Sequence, residues 1–248
     1  MRVASWNMHR YNQKGLQGAE KLVAAGHDVI CLQEVPEKIL EKVLNLAPHH
    51  AQCRELVWQK GAQKTFLVTL SQHPMSRHII TPHKRWPNLL TKLAGLEEGL
   101  EFLASDIHAY NRNWRIFNVH LPLHAPPFGR MIEWIRIYKK FDKQSHNIVC
   151  ADFNAFAGSI WSALLSPLVG TKLKHLMAHE RWQLRKFLEK KQLENPFAKW
   201  RTQSQLPYQL DFILHGKELQ VVMAERWPDR LNSDHWPLSL TLENISKT

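Results

Sequence analysis

An apolar run near the middle of the chain ends abruptly in polar residues that could hold a phosphate or a metal ion. Residues 147–151 have the sequence NIVCA, and Asp152, Phe153 and Asn154 follow them. An apolar run of this length between polar residues is typical of a buried strand. Side chains alternate along a strand, so Asp152 and Asn154 should leave the core on the same side. Asp and Asn are also common in turns, so the segment taken alone is explained equally well by a turn.

Five further apolar runs also end in residues that could do chemistry. The full set of candidates is Asn7, Glu34, His120, Asp152, Asn154, Asp211, Asp234 and His235. One acidic residue at a strand end usually belongs to a loop, but six separate runs that end this way are hard to explain by chance. Carboxylates together with histidines suit phosphate ester hydrolysis, which needs a hard cation to neutralise charge and a base to deprotonate water.

Each residue type suggests a role in such a reaction. Mg²⁺ prefers oxygen ligands, so Glu34 is the best candidate ligand, helped by Asn7 and Asp234. His235 is the candidate base because histidine titrates near neutral pH. Asp152 and Asn154 would orient the water and hold the phosphate. His120 would stabilise the transition-state charge or assist the leaving group; alternatively, it is a structural histidine at a strand end.

The scaffold that would bring these residues together is a set of strands with helices between them. The patterns predict strands at 2–9, 28–34, 54–60, 65–71, 77–81, 101–109, 114–121, 147–151, 208–214 and 218–226, and a last strand within 231–242. They predict helices at 16–25, from Pro36 to about Leu46, at 128–141, near 159–165 and near 177–190, with a short helix or insertion at 82–99. No repeat or linker divides the chain, so we expect one α/β domain over residues 1–248, built of two packed sheets with outer helices.

Composition favours a globular protein with an anionic partner. Of the 248 residues, 44% are hydrophobic and 22% are charged, which is ordinary for a folded domain. The formal net charge of +11 favours nucleic acid as a partner, and anionic lipid second, unless it reflects only a basic solvated surface. Nine Lys or Arg against three Glu lie within 172–201, interleaved with aromatic residues. This stretch is a candidate phosphate-binding surface or simply an amphipathic helix.

The three cysteines indicate core positions rather than a metal or redox site. Cys31 and Cys150 lie within strand-like apolar runs, and no CxxC motif is present. No signal peptide and no apolar run of membrane-spanning length are seen, so we expect a cytoplasmic location.

The ordered set of motifs resembles the endonuclease/exonuclease/phosphatase superfamily, which has the deoxyribonuclease I-like fold. The matching pieces are SWN at 5–7, DVICLQEV at 28–35, NVHLP at 118–122, ADFNA at 151–155, LDFIL at 210–214 and SDHWPL at 233–238. The resemblance implies a four-layer α/β sandwich, in which two mixed β-sheets pack face to face between helices. It also implies Mg²⁺-dependent cleavage of phosphate esters, with Mn²⁺ as a substitute, and it gives Asp211 the role of orienting His235.

The chain departs from this family pattern in three places. Ala151 stands where the family often has Gly before DFN. In secreted relatives a Glu on a middle strand pairs with the histidine equivalent to His120, whereas KTFLVTL offers only Lys64 or Thr65 there. The abasic-site endonuclease branch typically lacks that histidine, so His120 argues against that branch.

Three functions remain open at this stage. The first is a metal-dependent nuclease, favoured by the net charge. The second is a phosphoinositide or sphingolipid phosphoesterase that uses the same site. The third is a non-catalytic scaffold, which the complete set of candidate residues disfavours. The choice between DNA and RNA, and the oligomeric state, are left open by the sequence.

Overall fold

The computed structural model describes residues 1–58, 64–81, 96–97, 101–121, 127–154, 173–205 and 209–244. The strands are β1 Arg2–Asn7, β2 Val29–Pro36, β3 His49–Trp58, β4 Lys64–Ser71, β5 Met75–Ile80, β6 Leu96–Glu97, β7 Phe102–Ala109, β8 Arg112–His120, β9 His146–Asp152, β10 Leu193–Glu194, β11 Asp211–Gly216, β12 Leu219–Arg226 and β13 Leu238–Asn244. The helices are α1 Gly15–Ala24, a 3₁₀ turn Glu37–Ile39, α2 Leu40–Leu44, α3 Pro127–Tyr138 and α4 Leu173–Lys190.

The described strands form two mixed sheets. The first sheet has seven strands in the order β12-β13-β1-β2-β4-β3-β6, and the second has six in the order β10-β11-β9-β8-β7-β5. Among the described strands, only β1–β2 and β8–β9 pair in parallel, and the other pairs are antiparallel. The two parallel pairs lie at the centres of their sheets, where both faces are covered.

Three apolar clusters give the layers of the sandwich. The central cluster joins the two sheets through residues such as Cys31, Ile116, Cys150 and Leu240. A second cluster packs the first sheet against α1 and α2, and a third packs the other sheet against α3 and α4. Helix, sheet, sheet and helix therefore stack in four layers, and the predicted fold class is confirmed. Cys31 and Cys150 are fully buried, as their strand-like context predicted.

A buried polar seam crosses the interface between the sheets. Asn118 on β8 donates from Nδ2 to the carbonyl oxygens of Leu32 (3.1 Å) and Val68 (2.9 Å) in the opposite sheet. Its Oδ1 accepts a hydrogen bond from Gln33 Nε2 at 2.8 Å, and Gln33 also donates to Ser5 Oγ at 3.3 Å. These directional contacts fix how the two sheets lie on each other, which apolar packing alone does not do.

Replacement of Asn118 by alanine should therefore destabilise the protein by about 2–4 kcal/mol, because it removes three buried hydrogen bonds, two to carbonyl oxygens and one from Gln33. Denaturant unfolding measures the change. Asn113→Ala is the matched control, since Asn113 is exposed on the same strand and should change the free energy of unfolding by less than about 0.5 kcal/mol. Equal stability of the two variants would contradict the structural role of the seam.

The main differences from the predicted elements lie where strands run further than the pattern shows. Pro36 is the last residue of β2 and does not open a helix; a 3₁₀ turn and the short α2 follow it. Proline is acceptable at the end of a strand because no further ladder hydrogen bond is needed from its nitrogen. β3 begins at His49, five residues before the predicted start. The helix predicted near 159–165 and most of 82–99 lie outside the described residues.

Candidate active site

All eight predicted site residues stand at one edge of the sandwich. Asn7, His120 and Asp152 end β1, β8 and β9, and Asn154 follows β9. Asp211 begins β11 directly opposite Asp152, and His120 also lies opposite Asp152 in the parallel pair. The remaining three are Glu34 near the end of β2 and Asp234 and His235 in the turn before β13. Parallel and antiparallel pairing thus bring six separate chain segments to the same place.

Asp152 is the centre of the cluster and is almost fully buried. Its Oδ2 accepts a hydrogen bond from Asn7 Nδ2 at 3.0 Å, which joins the two sheets. Oδ2 also lies 3.7 Å from His120 Nε2 and 3.9 Å from His235 Nδ1. Oδ1 accepts a hydrogen bond from the backbone nitrogen of Asn154. A single carboxylate therefore contacts both histidines.

Two β-bulges place a pair of glutamates beside this centre. The register between β2 and β4 shifts between Leu32 and Val35, and Glu34 within that bulge has a left-handed φ of 55°. The register between β3 and β4 shifts at Glu55. Glu34 N donates to Glu55 Oε2 at 2.8 Å, so the two bulges are in contact. At a bulge, a side chain no longer follows the regular alternation between the two faces of the sheet. The carboxylates of Glu34 and Glu55 can therefore both point towards the candidate site.

Glu55 is a site residue that the sequence motifs did not reveal. Its Oε1 lies 2.5 Å from His120 Nδ1, so His120 does have a buried acidic partner. The partner lies on β3, whereas the family pattern was sought on β4 at Lys64 or Thr65, and that alignment was wrong. Asn154 Nδ2 lies 2.9 Å from Nε2 on the other side of the ring and donates to Leu121 O at 2.8 Å. Glu55 therefore fixes the orientation of His120, and the Asn154 amide lies against its Nε2.

His235 is held in the same manner by a second carboxylate. Its Nδ1 lies 2.8 Å and 3.0 Å from the two oxygens of buried Asp211. Thr202 Oγ accepts hydrogen bonds from the backbone nitrogens of Leu210 and Asp211 and so fixes the start of β11. Ser233 Oγ accepts from His235 N and donates to Asn7 O, which fixes the turn that carries the histidine. Nε2 is the ring nitrogen left for a substrate or a water.

The carboxylates determine the charge of both histidines. Burial by itself lowers the pKa of His120, but the nearby Glu55, Asp152 and Glu34 outweigh it and raise that pKa to about 10. Burial likewise opposes the charged form of His235, whereas Asp211, Asp152 and Asp234 raise its pKa to about 10. Burial raises the pKa of Glu34, but His120 and Arg10 outweigh this and hold it below the usual value. Glu34 is therefore an ionised carboxylate at neutral pH.

The cluster offers oxygen donors that suit a divalent cation. Glu34 is ionised, and within the described part of the chain only Asn7 and Arg10 contact its carboxylate oxygens at hydrogen-bonding distance. Asp234 Oδ1 is buried without a hydrogen-bond partner in the described part of the chain, and it lies 4.0 Å from His235 Nε2. Ligand atoms of Asp152, Asp211 and His235 also lie within 4.8 Å of one another and could hold a metal ion. Because Nδ1 of His235 is already paired with Asp211, the carboxylate oxygens fit a hard cation best.

The Glu55–His120 pair gives a direct test of this electrostatic arrangement. In protein freed of metal with EDTA, Glu55→Gln should lower the pKa of His120 from about 10. The reason is that Glu55 is the carboxylate that contributes most to stabilising the imidazolium. NMR titration of the His120 ring protons measures the shift, with His120→Gln used to assign the signal. Glu41→Gln, at an exposed position on α2, is the control and should leave that titration unchanged. An unchanged titration in Glu55→Gln would contradict the assignment of Glu55 as the partner.

The basic stretch at 172–201 divides between core and surface. Leu184 and Leu188 of α4 are buried against the second sheet, while Trp182 is 49% exposed. Arg185 and Lys186 on the outer face form ion pairs with Glu189. α4 is therefore an amphipathic helix with a charged outer face, and packing explains Leu184 and Leu188 but not the exposed Trp182.

The fold and the cluster define a phosphoester hydrolase of the four-layer type. A sequence model of the Endonuclease/Exonuclease/phosphatase family matches residues 4–235, and the chain belongs to that family. The match spans every candidate residue from Asn7 to His235. No curated protein matches the chain in a search by sequence.

Solved structures share the fold at low sequence identity. An endonuclease/exonuclease/phosphatase from Beutenbergia cavernae is 13% identical with a TM-score of 0.72, over 98% of this chain and 71% of that one. The human Nocturnin catalytic domain with bound sulfate is 17% identical with a TM-score of 0.59, over 99% and 94%. ANGEL2, a 2′,3′-cyclic phosphatase in complex with adenosine-2′,3′-vanadate, is 13% identical with a TM-score of 0.63, over 97% and 94%. These likenesses establish the fold alone.

Among the helices that the structure describes, none combines the length and the apolar character needed to cross a bilayer.

Proposed function

We propose that this chain is a divalent-metal-dependent phosphodiesterase that hydrolyses nucleic acid. The observation that carries the proposal is the pair of histidines on either side of Asp152, each held at Nδ1 by its own buried carboxylate. One imidazole can take a proton from water while the other supplies positive charge or a proton to the leaving oxygen. Hydrolysis of a phosphodiester by attack of water needs both functions.

His235 is the proposed base. Asp211 fixes its Nδ1 as the proton-bearing nitrogen, so Nε2 faces outward as the proton acceptor. Asp211, Asp152 and Asp234 raise its pKa and so favour the protonated ring. A cation bound near Asp152 and Asp234 would oppose their effect and favour the neutral ring, whose Nε2 accepts the proton.

Asp152, Asn154 and His120 form the proposed phosphate side of the site. Asp152 would orient the attacking water from its position between the two histidines. Asn154 and His120, whose Nδ2 and Nε2 atoms are 2.9 Å apart, would contact the phosphate oxygens and the leaving group. Glu55 keeps His120 charged, which suits it to stabilise a more negative transition state.

Glu34, Asn7 and Asp234 are the proposed metal-binding residues. When bound, Mg²⁺ would offset the negative charge of the phosphate and polarise its oxygens. Asn7 donates to both Glu34 and Asp152, so it sets the spacing between the metal side and the water-binding side. Mn²⁺ would serve as a substitute because it also accepts carboxylate ligands.

The preference for nucleic acid is supported by charge. The net charge of +11 favours a polyanionic substrate over a single neutral or zwitterionic headgroup. We therefore propose nucleic acid as the substrate, with lipid phosphates and sugar phosphates as the alternatives that the substrate panel tests.

A substrate panel tests the proposal. Supercoiled DNA, single-stranded DNA, RNA, a phosphoinositide, sphingomyelin and a sugar phosphate are each incubated with Mg²⁺, with Mn²⁺ and with EDTA. Cleavage of nucleic acid that EDTA abolishes is the expected result. Turnover of lipid or sugar phosphate alone would keep the site and reject the nuclease. No turnover of any substrate would favour a non-catalytic scaffold.

A further inference from the structure

Three arginines converge on one tryptophan immediately after the proposed base. The guanidinium carbons of Arg226, Arg230 and Arg201 lie 4.6, 5.3 and 5.9 Å from the ring centroid of Trp236. They come from the end of β12, from the turn before β13 and from the segment after β10. Neither the sequence motifs nor the proposed catalytic roles account for this Arg–Trp cluster.

The cluster carries a concentration of positive charge that the described residues do not neutralise. No ion pair links any of the three guanidinium groups to a carboxylate within the described ranges. Arg201 Nε donates to Gln203 O, and an Arg226 nitrogen donates to Arg201 O, so two of the arginines are fixed by backbone contacts. Like charges held close together repel one another, and an anion bound between them relieves that repulsion.

The backbone connects the cluster to the proposed active site. Gln203 pairs with His235 in a short antiparallel bridge, and Trp236 N donates to Thr202 O at 2.9 Å. Trp236 directly follows His235 in the chain, so the cluster adjoins the proposed base along the backbone. Gln203 Nε2 donates to Asp234 Oδ2 at 3.1 Å, and Gln203 O accepts a hydrogen bond from Arg201 Nε. Gln203 therefore contacts both the proposed active site and the Arg–Trp cluster.

The side chains present match the chemistry of a nucleic acid backbone. Arginine binds phosphate through two parallel hydrogen bonds, and its planar group remains able to do so while stacked on an aromatic ring. Trp236 is only partly buried and offers an aromatic surface beside the arginines.

We propose that Arg201, Arg226, Arg230 and Trp236 form a second subsite that binds a phosphate of the same nucleic acid strand, next to the one that is cleaved. This inference rests on the proposed function and specifies its substrate as an oligonucleotide with more than one phosphate. The cluster then determines binding of the chain and its register in the site. It takes no part in the chemical step.

Binding of an uncleaved oligonucleotide tests the subsite independently of catalysis. A fluorescein-labelled single strand of twelve nucleotides is titrated in EDTA, and its anisotropy is followed over a range of salt concentrations. Arg201→Gln/Arg226→Gln/Arg230→Gln should weaken binding by about 30–100-fold and reduce the salt dependence by one to two phosphate contacts. The control variant Lys21→Gln/Lys42→Gln/Lys139→Gln removes the same charge from exposed positions in α1, in α2 and directly after α3, and should weaken binding by less than about threefold.

Turnover separates the subsite from the active site. With Mg²⁺, the triple Arg variant should lose kcat/KM on the oligonucleotide and keep it on bis(p-nitrophenyl) phosphate, which has a single phosphate. Arg230→Gln alone should reproduce part of the effect if the triple variant folds poorly, because the Arg230 side chain makes no backbone hydrogen bond to the described residues. Equal loss of binding in the Arg and Lys variants would overturn the subsite. A wild-type protein that binds the oligonucleotide through the arginines but hydrolyses neither substrate would instead overturn the proposed function.

Discussion

Replacing His235 by glutamine is expected to lower kcat on any phosphodiester substrate by a factor of about 10²–10⁴, the usual contribution of a positioned base. Nε2 is the nitrogen that would accept the proton, and glutamine offers no group with a suitable pKa at that position. Asp211→Asn should also lower kcat, because the hydrogen bond that fixes Nδ1 is changed. Steady-state kinetics at saturating Mg²⁺ measure both effects.

His108→Gln is the matched control for this experiment. His108 is exposed on β7, where it contacts Asn113, and its replacement should leave kcat within twofold of the wild-type value. Circular dichroism and thermal melting establish whether each variant is folded. If folded His235→Gln retained more than a tenth of wild-type kcat, His235 would not be the base, and His120 would become the stronger candidate.

Replacing Glu34 by glutamine is expected to weaken metal binding while the protein remains folded. The change keeps the size of the side chain and removes the ionised oxygen that would bind Mg²⁺. Apparent metal affinity should fall by at least about tenfold, since even indirect partners of a metal site contribute 10–100-fold. A bound ion stabilises the native state, so the rise in Tm on adding Mg²⁺ or Mn²⁺ reports binding without any substrate.

Glu37→Gln provides the comparison for Glu34→Gln. Glu37 lies three residues further along the chain, is exposed and pairs with Lys64 at 3.0 Å. Its replacement should leave the metal-induced rise in Tm unchanged, because an exposed pair contributes little to stability and lies outside the carboxylate cluster. The assignment of Glu34 as a ligand would be wrong if both variants kept the wild-type rise.

The fold could be predicted from the sequence because the polar candidate residues lie at the ends of apolar strands. Asp152 and His120 each end an apolar run, so residue type and position could be combined without a structure. The resemblance to a family then implied the four-layer sandwich, which the structure confirms. Individual boundaries moved, as at Pro36, because a strand can end at a proline that would otherwise favour a helix start.

Glu55 could not be identified in the same way because its position depends on register. It lies within β3, in a bulge opposite β4, and only strand pairing shows which side of the sheet a bulged residue faces. A search for a carboxylate on both strands of the predicted hairpin, and not on KTFLVTL alone, would have included it. The Arg–Trp cluster was also missed, since its segments meet through strand pairing: Arg226 lies opposite Leu238 in the β12–β13 pair, and Gln203, near Arg201, pairs with His235.

The polar seam beneath the site has a mechanical consequence. Asn7 belongs to one sheet and Asp152 to the other, so the distance between these two side chains would change if the sheets slid past each other. Apolar contacts tolerate sliding because they have no preferred direction, whereas the hydrogen bonds of Asn118 to Leu32 and Val68 resist it. Asn118 therefore fixes the position of one sheet on the other, and with it the relative position of the candidate site residues that the two sheets carry. On heating, a protein without Asn118 should lose the spacing between Asn7 and Asp152 before the two sheets separate.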